Sequence, residues 1–211
     1  MDRDKIKERF LEETKDHTMQ VMNNEGLYRH LRCSKGGSTY CSFGIITWPG
    51  HLTIYGDMGC YTFCRIQDMF DFFVDTHNKD KLEINPGYWE EKLEAVDKIS
   101  GLTEFSPAKY NEAIKEYFDN YWEDEEDDNE FKKACWEQIE EEILSCDLGT
   151  DTRDAIDAYD RAVQFRYEWE GNRFEFTDFW EVSCKEYTFR YIWCCYAIVW
   201  AIQQYNKEKE T

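Results

Sequence analysis

The sequence predicts an α+β fold, with an N-terminal helix and a four-stranded antiparallel meander followed by a mostly helical C-terminal half. In the first third of the chain, short segments rich in aromatic and β-branched residues are separated by turn-length connections. From about residue 67 onward, apolar residues recur at helical spacing instead. Because the two patterns occupy separate parts of the chain and do not alternate, we expect α+β rather than α/β.

The first element is a helix predicted from Asp2 to about Met22, where apolar residues lie near helical spacing between charges. Four strands are predicted after it, over residues 27–33, 40–48, 51–55 and 60–65. Their connections include the turn sequences Pro49-Gly50 and Gly56-Asp57-Met58-Gly59. Each strand should therefore pair with the next one along the chain.

The remaining elements are predicted to be helices. Asn85-Pro86 and Ser106-Pro107 each place a capping side chain before a proline at the first helical position. The predicted helices cover residues 69–74, 86 to about 100, 107–121, 131–144, 152 to about 171, and a last one that starts at the Ser183/Glu186 capping box and runs to about Tyr205.

The length of 211 residues predicts a single domain, 1–211. Within it we expect a helix-plus-sheet part, 1–82, and a helical, strongly acidic part, 83–211.

The charge balance is unusual, with 45 acidic against 25 basic residues and a net charge of −20. Residues 1–100 carry −4 of this and residues 101–211 carry −16. Such a field disfavours direct binding to nucleic acid or to an anionic membrane, and it favours a partner with a basic surface.

The densest acidic run is residues 123–130, with seven acids in eight positions. As a helix, this run would carry about one charge per 1.7 Å, the linear charge density of duplex DNA. It could therefore mimic nucleic acid, or it could be an ordinary solvated loop. The predicted partner-binding residues are Glu123, Asp124, Glu125, Glu126, Asp127, Asp128, Glu130, Glu137 and Glu141, with Tyr121, Trp122 and Trp136 as aromatic anchors.

No catalytic, metal-ligating or cofactor-binding residues are predicted. Cys60 and Cys64 with His51, or His30 with Cys33, could supply nitrogen and sulfur ligands to a metal. Cys60 and Cys64 would lie about 13 Å apart on one strand face, which is too far for one tetrahedral ion unless the strand breaks. The cysteines are therefore predicted to be core thiols, and the chain is predicted not to be an enzyme.

The longest uninterrupted apolar run is Tyr191 to Ile202, twelve residues, whereas a bilayer crossing needs about 20. It predicts a helix that is apolar on all sides, either central to the core or at an oligomer interface. The charged N-terminus has no secretory pattern, and nine scattered cysteines suit a reducing compartment, so a cytoplasmic location is expected.

Several motifs resemble a family of uncharacterised tailed-phage and prophage proteins: Ile46–Gly59 (ITWPGHLTIYGDMG), Tyr61–Phe63, Ile84–Trp89 (INPGYW), Phe179–Glu181 and Trp193–Ala197 (WCCYA). The resemblance covers nearly the whole chain. It implies a phage-encoded accessory protein that acts in a bacterial cytosol, and it carries over no catalytic residues.

Small acidic phage proteins often inhibit host defence, so the resemblance and the charge together predict an anti-CRISPR or anti-restriction inhibitor. Its partner would be a host defence protein or nucleoprotein complex with a basic surface. Two alternatives remain open. One is a metal-dependent enzyme acting on nucleotides or nucleic acid, which would need a concave cluster of three or more acids. The other is a phage component that self-assembles through the aromatic C-terminal helix.

Overall fold

The computed structural model describes residues 2–74, 81–123 and 129–210, and it confirms the α+β class. Its elements in chain order are α1 Arg3–Thr14, β1 Thr18–Glu25, β2 Tyr28–Ser34, β3 Phe43–Trp48, β4 His51–Gly56, β5 Gly59–Cys64, α2 Met69–Phe73, α3 Pro86–Glu90, β6 Leu93–Ala95, β7 Thr103–Phe105, α4 Pro107–Tyr121, α5 Glu130–Ile139, a π turn Glu140–Leu144, α6 Thr152–Gln164, β8 Arg166–Trp169, β9 Asn172–Glu175, a 3-10 turn Phe179–Glu181, β10 Lys185–Tyr187 and α7 Phe189–Glu210.

The chain folds into two compact units. The first unit comprises Met1–Leu102 and Tyr187–Thr211, and the second comprises Thr103–Glu186. These bounds differ from the parts 1–82 and 83–211 expected from the sequence, because the chain leaves the first unit only after Leu102 and returns to it with the last helix. Whether the whole chain behaves as one domain stays a prediction.

The sheet of the first unit has six antiparallel strands in the order β1-β2-β3-β4-β5-β6. The four predicted strands are its centre, β2 to β5, and two further strands extend its edges. The helix predicted to reach Met22 ends at Thr14, whose hydroxyl donates to the Phe10 carbonyl at 2.7 Å. Residues 18–25 instead pair with β2, so backbone pairing outweighs the weak helical period of this segment.

The helix predicted from Pro86 to about residue 100 is also wrong beyond its first turn. Asn85 caps α3 as expected, but α3 ends at Glu90. The next residues form β6, which pairs with the outer edge of β5. The open edge of a strand presents a row of unpaired backbone N–H and C=O groups. Pairing with β6 satisfies some of these groups on β5.

The core of the first unit is built around α7, whose residues Tyr191 to Val199 are all buried. The Trp193 ring packs edge-on against Phe10 and Phe43, with ring centroids 5.0 and 5.6 Å apart, and its indole N–H donates to Glu13 at 2.8 Å. This burial argues against α7 as an oligomer interface. Among the residues that the structure describes, no helix has the length and apolar character needed to cross a bilayer.

The start of α7 differs from the predicted one. A helix was expected from the Ser183/Glu186 capping box, whereas α7 begins at Phe189. The Thr188 hydroxyl accepts from the Tyr191 amide at 3.3 Å, so Thr188 is the capping residue. The preceding residues are held in β10, which pairs with β7.

The second unit packs α4, α5, the π turn and α6 around a separate aromatic core. The Tyr110 hydroxyl on α4 donates to the Ala158 carbonyl on α6 at 2.7 Å. The helix predicted to reach Gly171 ends at Gln164, because β8 and β9 form a hairpin. Glu170 and Gly171 have positive φ values of 50° and 86°, as a tight two-residue hairpin turn requires.

Candidate partner-binding site

The negative charge belongs almost entirely to the second unit. Residues 103–186 contain 26 acidic and 9 basic residues, a net charge of −17, whereas the remainder of the chain carries −3. The field that would attract a basic partner therefore originates in one compact unit of the protein.

The acidic face of this unit is defined here as the exposed carboxylates of α5 and the π turn: Glu130, Glu137, Glu140, Glu141 and Glu142. These two elements bury a stripe at four-residue spacing, namely Phe131, Cys135, Ile139 and Ile143. The Ser145 amide donates to the Glu140 carbonyl at 2.9 Å, an i→i+5 bond. The wider turn brings Ile143 back to the core, so the glutamates beside it face solvent.

The described structure includes only some of the predicted acidic binding residues. Glu123, Glu130, Glu137 and Glu141 are exposed. Asp124, Glu125, Glu126, Asp127 and Asp128 lie outside the described residues.

The carboxylates of the acidic face make no ion pair with a basic side chain within the described ranges. The Trp136 indole N–H donates to Glu140 at 2.8 Å, and the Gln138 amide donates to Glu142 at 2.7 Å. Both donors are neutral groups, so these hydrogen bonds do not neutralise the negative charge of Glu140 and Glu142. Among the described residues of the second unit, ion pairs lie on the β8–β9 hairpin, between Arg166 and Glu175 and between Arg173 and both Glu168 and Glu175.

The three predicted aromatic anchors have different environments. Trp122 is only 7% exposed and packs against Phe131, with ring centroids 5.4 Å apart. The prediction that Trp122 is an anchor is therefore wrong, because its ring fills the core that α4 and α5 share. Tyr121 is 51% exposed, and its hydroxyl donates to the Arg173 carbonyl at 3.2 Å. Trp136 is half-buried.

Trp136 lines a groove between α4 and α5 with a volume of about 370 Å³. Its walls carry Lys115, Lys132 and Lys133 together with Asp119 and Glu140. The acidic face therefore adjoins a groove of mixed charge, and a partner seated there would meet an aromatic ring beside both signs of charge.

Comparison with protein-family models, with curated proteins and with solved structures gave no match. The resemblance to phage proteins therefore stays a prediction, and the site is interpreted from its own chemistry.

A second set of exposed acids, Asp157 and Asp160 on α6, was not among the predicted binding residues. The buried side of α6 is formed by Ala158 and Ala162. Because α6 contacts the π turn, these two carboxylates lie on an element adjoining the acidic face. The signal was present in the sequence, as two acids three residues apart on an amphipathic helix.

All nine cysteines are free thiols. Six of them are buried: Cys33, Cys41, Cys135, Cys184, Cys194 and Cys195. Burial raises the pKa of the Cys33 and Cys135 thiols to about 12, so these side chains stay protonated at neutral pH. They are core residues, as predicted.

The enzyme alternative required a concave cluster of three or more acids. In the part of the chain that the structure describes, a single group of His, Cys, Asp or Glu side chains has its ligand atoms close enough for one metal ion, and it contains only one carboxylate. The group is His51, Cys64 and Glu94, in the first unit.

Proposed function

We propose that the protein inhibits a bacterial defence system by binding a basic, nucleic-acid-binding surface through the acidic face of its second unit. The supporting observation is the concentration of net charge −17 in residues 103–186, with Glu137 and Glu141 exposed and without a basic partner among the described residues. The motif resemblance supports a phage origin and hence a role in the cytosol of a bacterial host.

The mechanism is competition for a shared surface. A protein surface that binds nucleic acid presents lysine and arginine side chains at the spacing of phosphates. The carboxylates of the acidic face would occupy those side chains and exclude the nucleic acid. The charges would chiefly accelerate encounter and align the partners, while the binding free energy would come from buried contacts such as Trp136 and Tyr121.

The first experiment is a displacement assay. Purified CRISPR effector complexes and restriction endonucleases are loaded with fluorescently labelled cognate nucleic acid, and the protein is titrated in. The proposal expects saturable release of the nucleic acid from at least one of them. No release from any member of the panel would contradict the proposal.

The second experiment reverses charge on the acidic face with Glu137→Lys combined with Glu141→Lys. Both positions are exposed, so the fold should tolerate the change. We expect the association rate to fall by about tenfold or more at low ionic strength, and its salt dependence to flatten, because steering depends on these charges.

The matched control is Glu8→Lys combined with Glu12→Lys on α1. These residues are also exposed glutamates four positions apart on a helix, but they belong to the first unit. The control alters the net charge by the same amount. Equal loss in both variants would mean that total charge, rather than the acidic face, governs binding.

A further inference from the structure

The last three strands of the six-stranded sheet, β4 to β6, bring together three side chains of different metal-ligating types. His51 begins β4, Cys64 ends β5 and Glu94 lies in β6. His51 and Cys64 are directly paired across their strands. All three ligand atoms, the His51 imidazole nitrogen, the Cys64 Sγ and a Glu94 carboxylate oxygen, lie within 4.8 Å of one another.

An irregularity in the sheet places Glu94 in this group. Thr62 pairs with Ala95 and Phe63 pairs with Leu93, so Glu94 is an extra residue in the β5–β6 ladder. Such a bulge changes the direction of a side chain, and bulges are common beside functional sites. The neighbouring Leu52 and Phe63 are buried, which puts His51 and Cys64 on the opposite face of the sheet, where Glu94 joins them.

The imidazole of His51 is oriented by two contacts. Its Nδ1 lies 3.1 Å from the Pro49 carbonyl oxygen, and its ring stacks on Trp48 with centroids 4.9 Å apart and planes at 11°. A carbonyl oxygen can only accept, so Nδ1 carries the proton. In the neutral ring, the lone pair is therefore on Nε2, the nitrogen that faces Glu94. A backbone carbonyl holding the distal nitrogen is the usual support of a metal-ligating histidine.

The Nε2 atom lies 3.2 Å from a Glu94 carboxylate oxygen. Two acceptors at this distance need either a proton or a cation between them. In a tetrahedral zinc site, the ligand atoms lie roughly 3.4–3.6 Å apart, as the usual bond lengths require. The 3.2 Å separation is close to this value, and all three ligand atoms lie within 4.8 Å of one another.

We propose that His51, Cys64 and Glu94 bind one zinc ion through imidazole nitrogen, thiolate and carboxylate oxygen. Zinc is the ion that best fits a mixed set of nitrogen, sulfur and oxygen donors. Three protein ligands leave a fourth coordination position for water or for an atom of another molecule, as in catalytic rather than structural zinc sites. This inference is independent of the proposed inhibitor function, because all three ligands lie in the first unit.

The test uses the full chain, freed of metal with a chelator under reducing conditions. Isothermal titration calorimetry with Zn²⁺ should give one site. Titration with Co²⁺ should give visible d–d bands of tetrahedral intensity and a thiolate-to-cobalt charge-transfer band in the near ultraviolet. A simple ion pair between a protonated His51 and Glu94 predicts no saturable binding, and that result would overturn the proposal.

Substitutions assign the ligands. Because loss of a second-shell partner already lowers metal affinity about 10–100-fold, Cys64→Ser should lower zinc affinity by at least about 100-fold and abolish the charge-transfer band. Glu94→Gln should lower affinity by at least about tenfold. The matched controls are Cys60→Ser, an exposed cysteine on the same strand, and Glu91→Gln, a nearby exposed glutamate.

Circular dichroism of each metal-free variant separates ligand loss from misfolding. If Cys64→Ser folds and keeps the charge-transfer band, or if Cys60→Ser loses it, the assignment is wrong. Adding azide to the cobalt-loaded protein tests the fourth position. A shift of the d–d bands supports the open position, and unchanged bands overturn it.

Discussion

The contact between Arg29 and Asp68 gives a quantitative test of how the first unit is held together. The Arg29 guanidinium donates two hydrogen bonds to the Asp68 carboxylate, at 2.7 and 2.6 Å. Its side chain is 9% exposed and that of Asp68 is 26% exposed. The guanidinium also lies over the Phe70 ring, 4.4 Å from its centroid, and its Nε has no hydrogen-bond partner within the described structure.

The perturbation is Asp68→Asn. Asparagine caps a helix as well as aspartate does, so the cap that Asp68 gives α2 through the Phe70 amide should survive. What is lost is the charge that compensates a buried guanidinium. Removing one partner of a buried pair costs 3–5 kcal/mol, and partial exposure of Asp68 favours the low end, about 3 kcal/mol. The corresponding fall in Tm is about 6–12 °C.

The assay is urea unfolding followed by circular dichroism and tryptophan fluorescence, with Asp71→Asn as the control. Asp71 is exposed on the same helix, so its variant should differ from the parent by less than about 0.5 kcal/mol. If Asp68→Asn also changes the free energy of unfolding by less than about 0.5 kcal/mol, the pair does not stabilise the fold and the reasoning from burial is refuted.

The pH dependence has a defined sign. Hydrogen bonding to Arg29 is the main cause that lowers the pKa of Asp68 below its usual value. The stabilisation is therefore fully present above the unfolded-state pKa of about 3.9, and it is lost as the pH falls through the lower folded-state pKa. The free energies of unfolding of the parent and Asp68→Asn should converge at acidic pH. A constant difference down to low pH would contradict this assignment.

Two further predictions concern packing. Gly44→Ala should destabilise the first unit by about 1–3 kcal/mol in urea unfolding, because a Cβ at this position would overlap the Tyr55 ring. The same substitution should cost less in a Tyr55→Ala background, where the ring is absent. Trp193→Ala should cost about 3–5 kcal/mol, because the ring is completely buried, whereas Trp180→Ala, at a ring 59% exposed, should change the free energy of unfolding by less than about 0.5 kcal/mol. Equal effects of the two tryptophan variants would refute the assignment of Trp193 to the core.

The elements that the sequence predicted well are those whose signals are local. Ser106-Pro107 marks the start of α4 with a capping hydroxyl and a preset φ, and both act within one turn of the helix. Strands β3 to β5 are joined by turn sequences that leave little choice of partner. The wrong predictions concern segments whose conformation depends on strands that are distant in the sequence. Residues 18–25 and 93–95 form strands because they pair with the edges of β2 and β5. The local spacing of apolar residues carries no information about that pairing.

The acidic face was predicted on the same local basis. Glu137 and Glu141 fall on one side of a helix by spacing alone, and both are exposed. Burial of Trp122 could not be inferred in this way. It follows α4 directly, and whether its ring faces solvent depends on where α5 packs, which is a property of the second core and not of the helix.

The His51, Cys64 and Glu94 group shows why spacing arguments miss a site built across strands. Two cysteines four residues apart on one strand are too distant to share one ion, so the sequence predicted no metal ligands in this segment. The register of the paired strands places His51 opposite Cys64, although the two residues are thirteen positions apart along the chain. The third side chain comes from a segment that the sequence assigned to a helix. Only the bulge in β6 brings Glu94 to the same face, so the donor set depends on sheet register, which the spacing of residues does not encode.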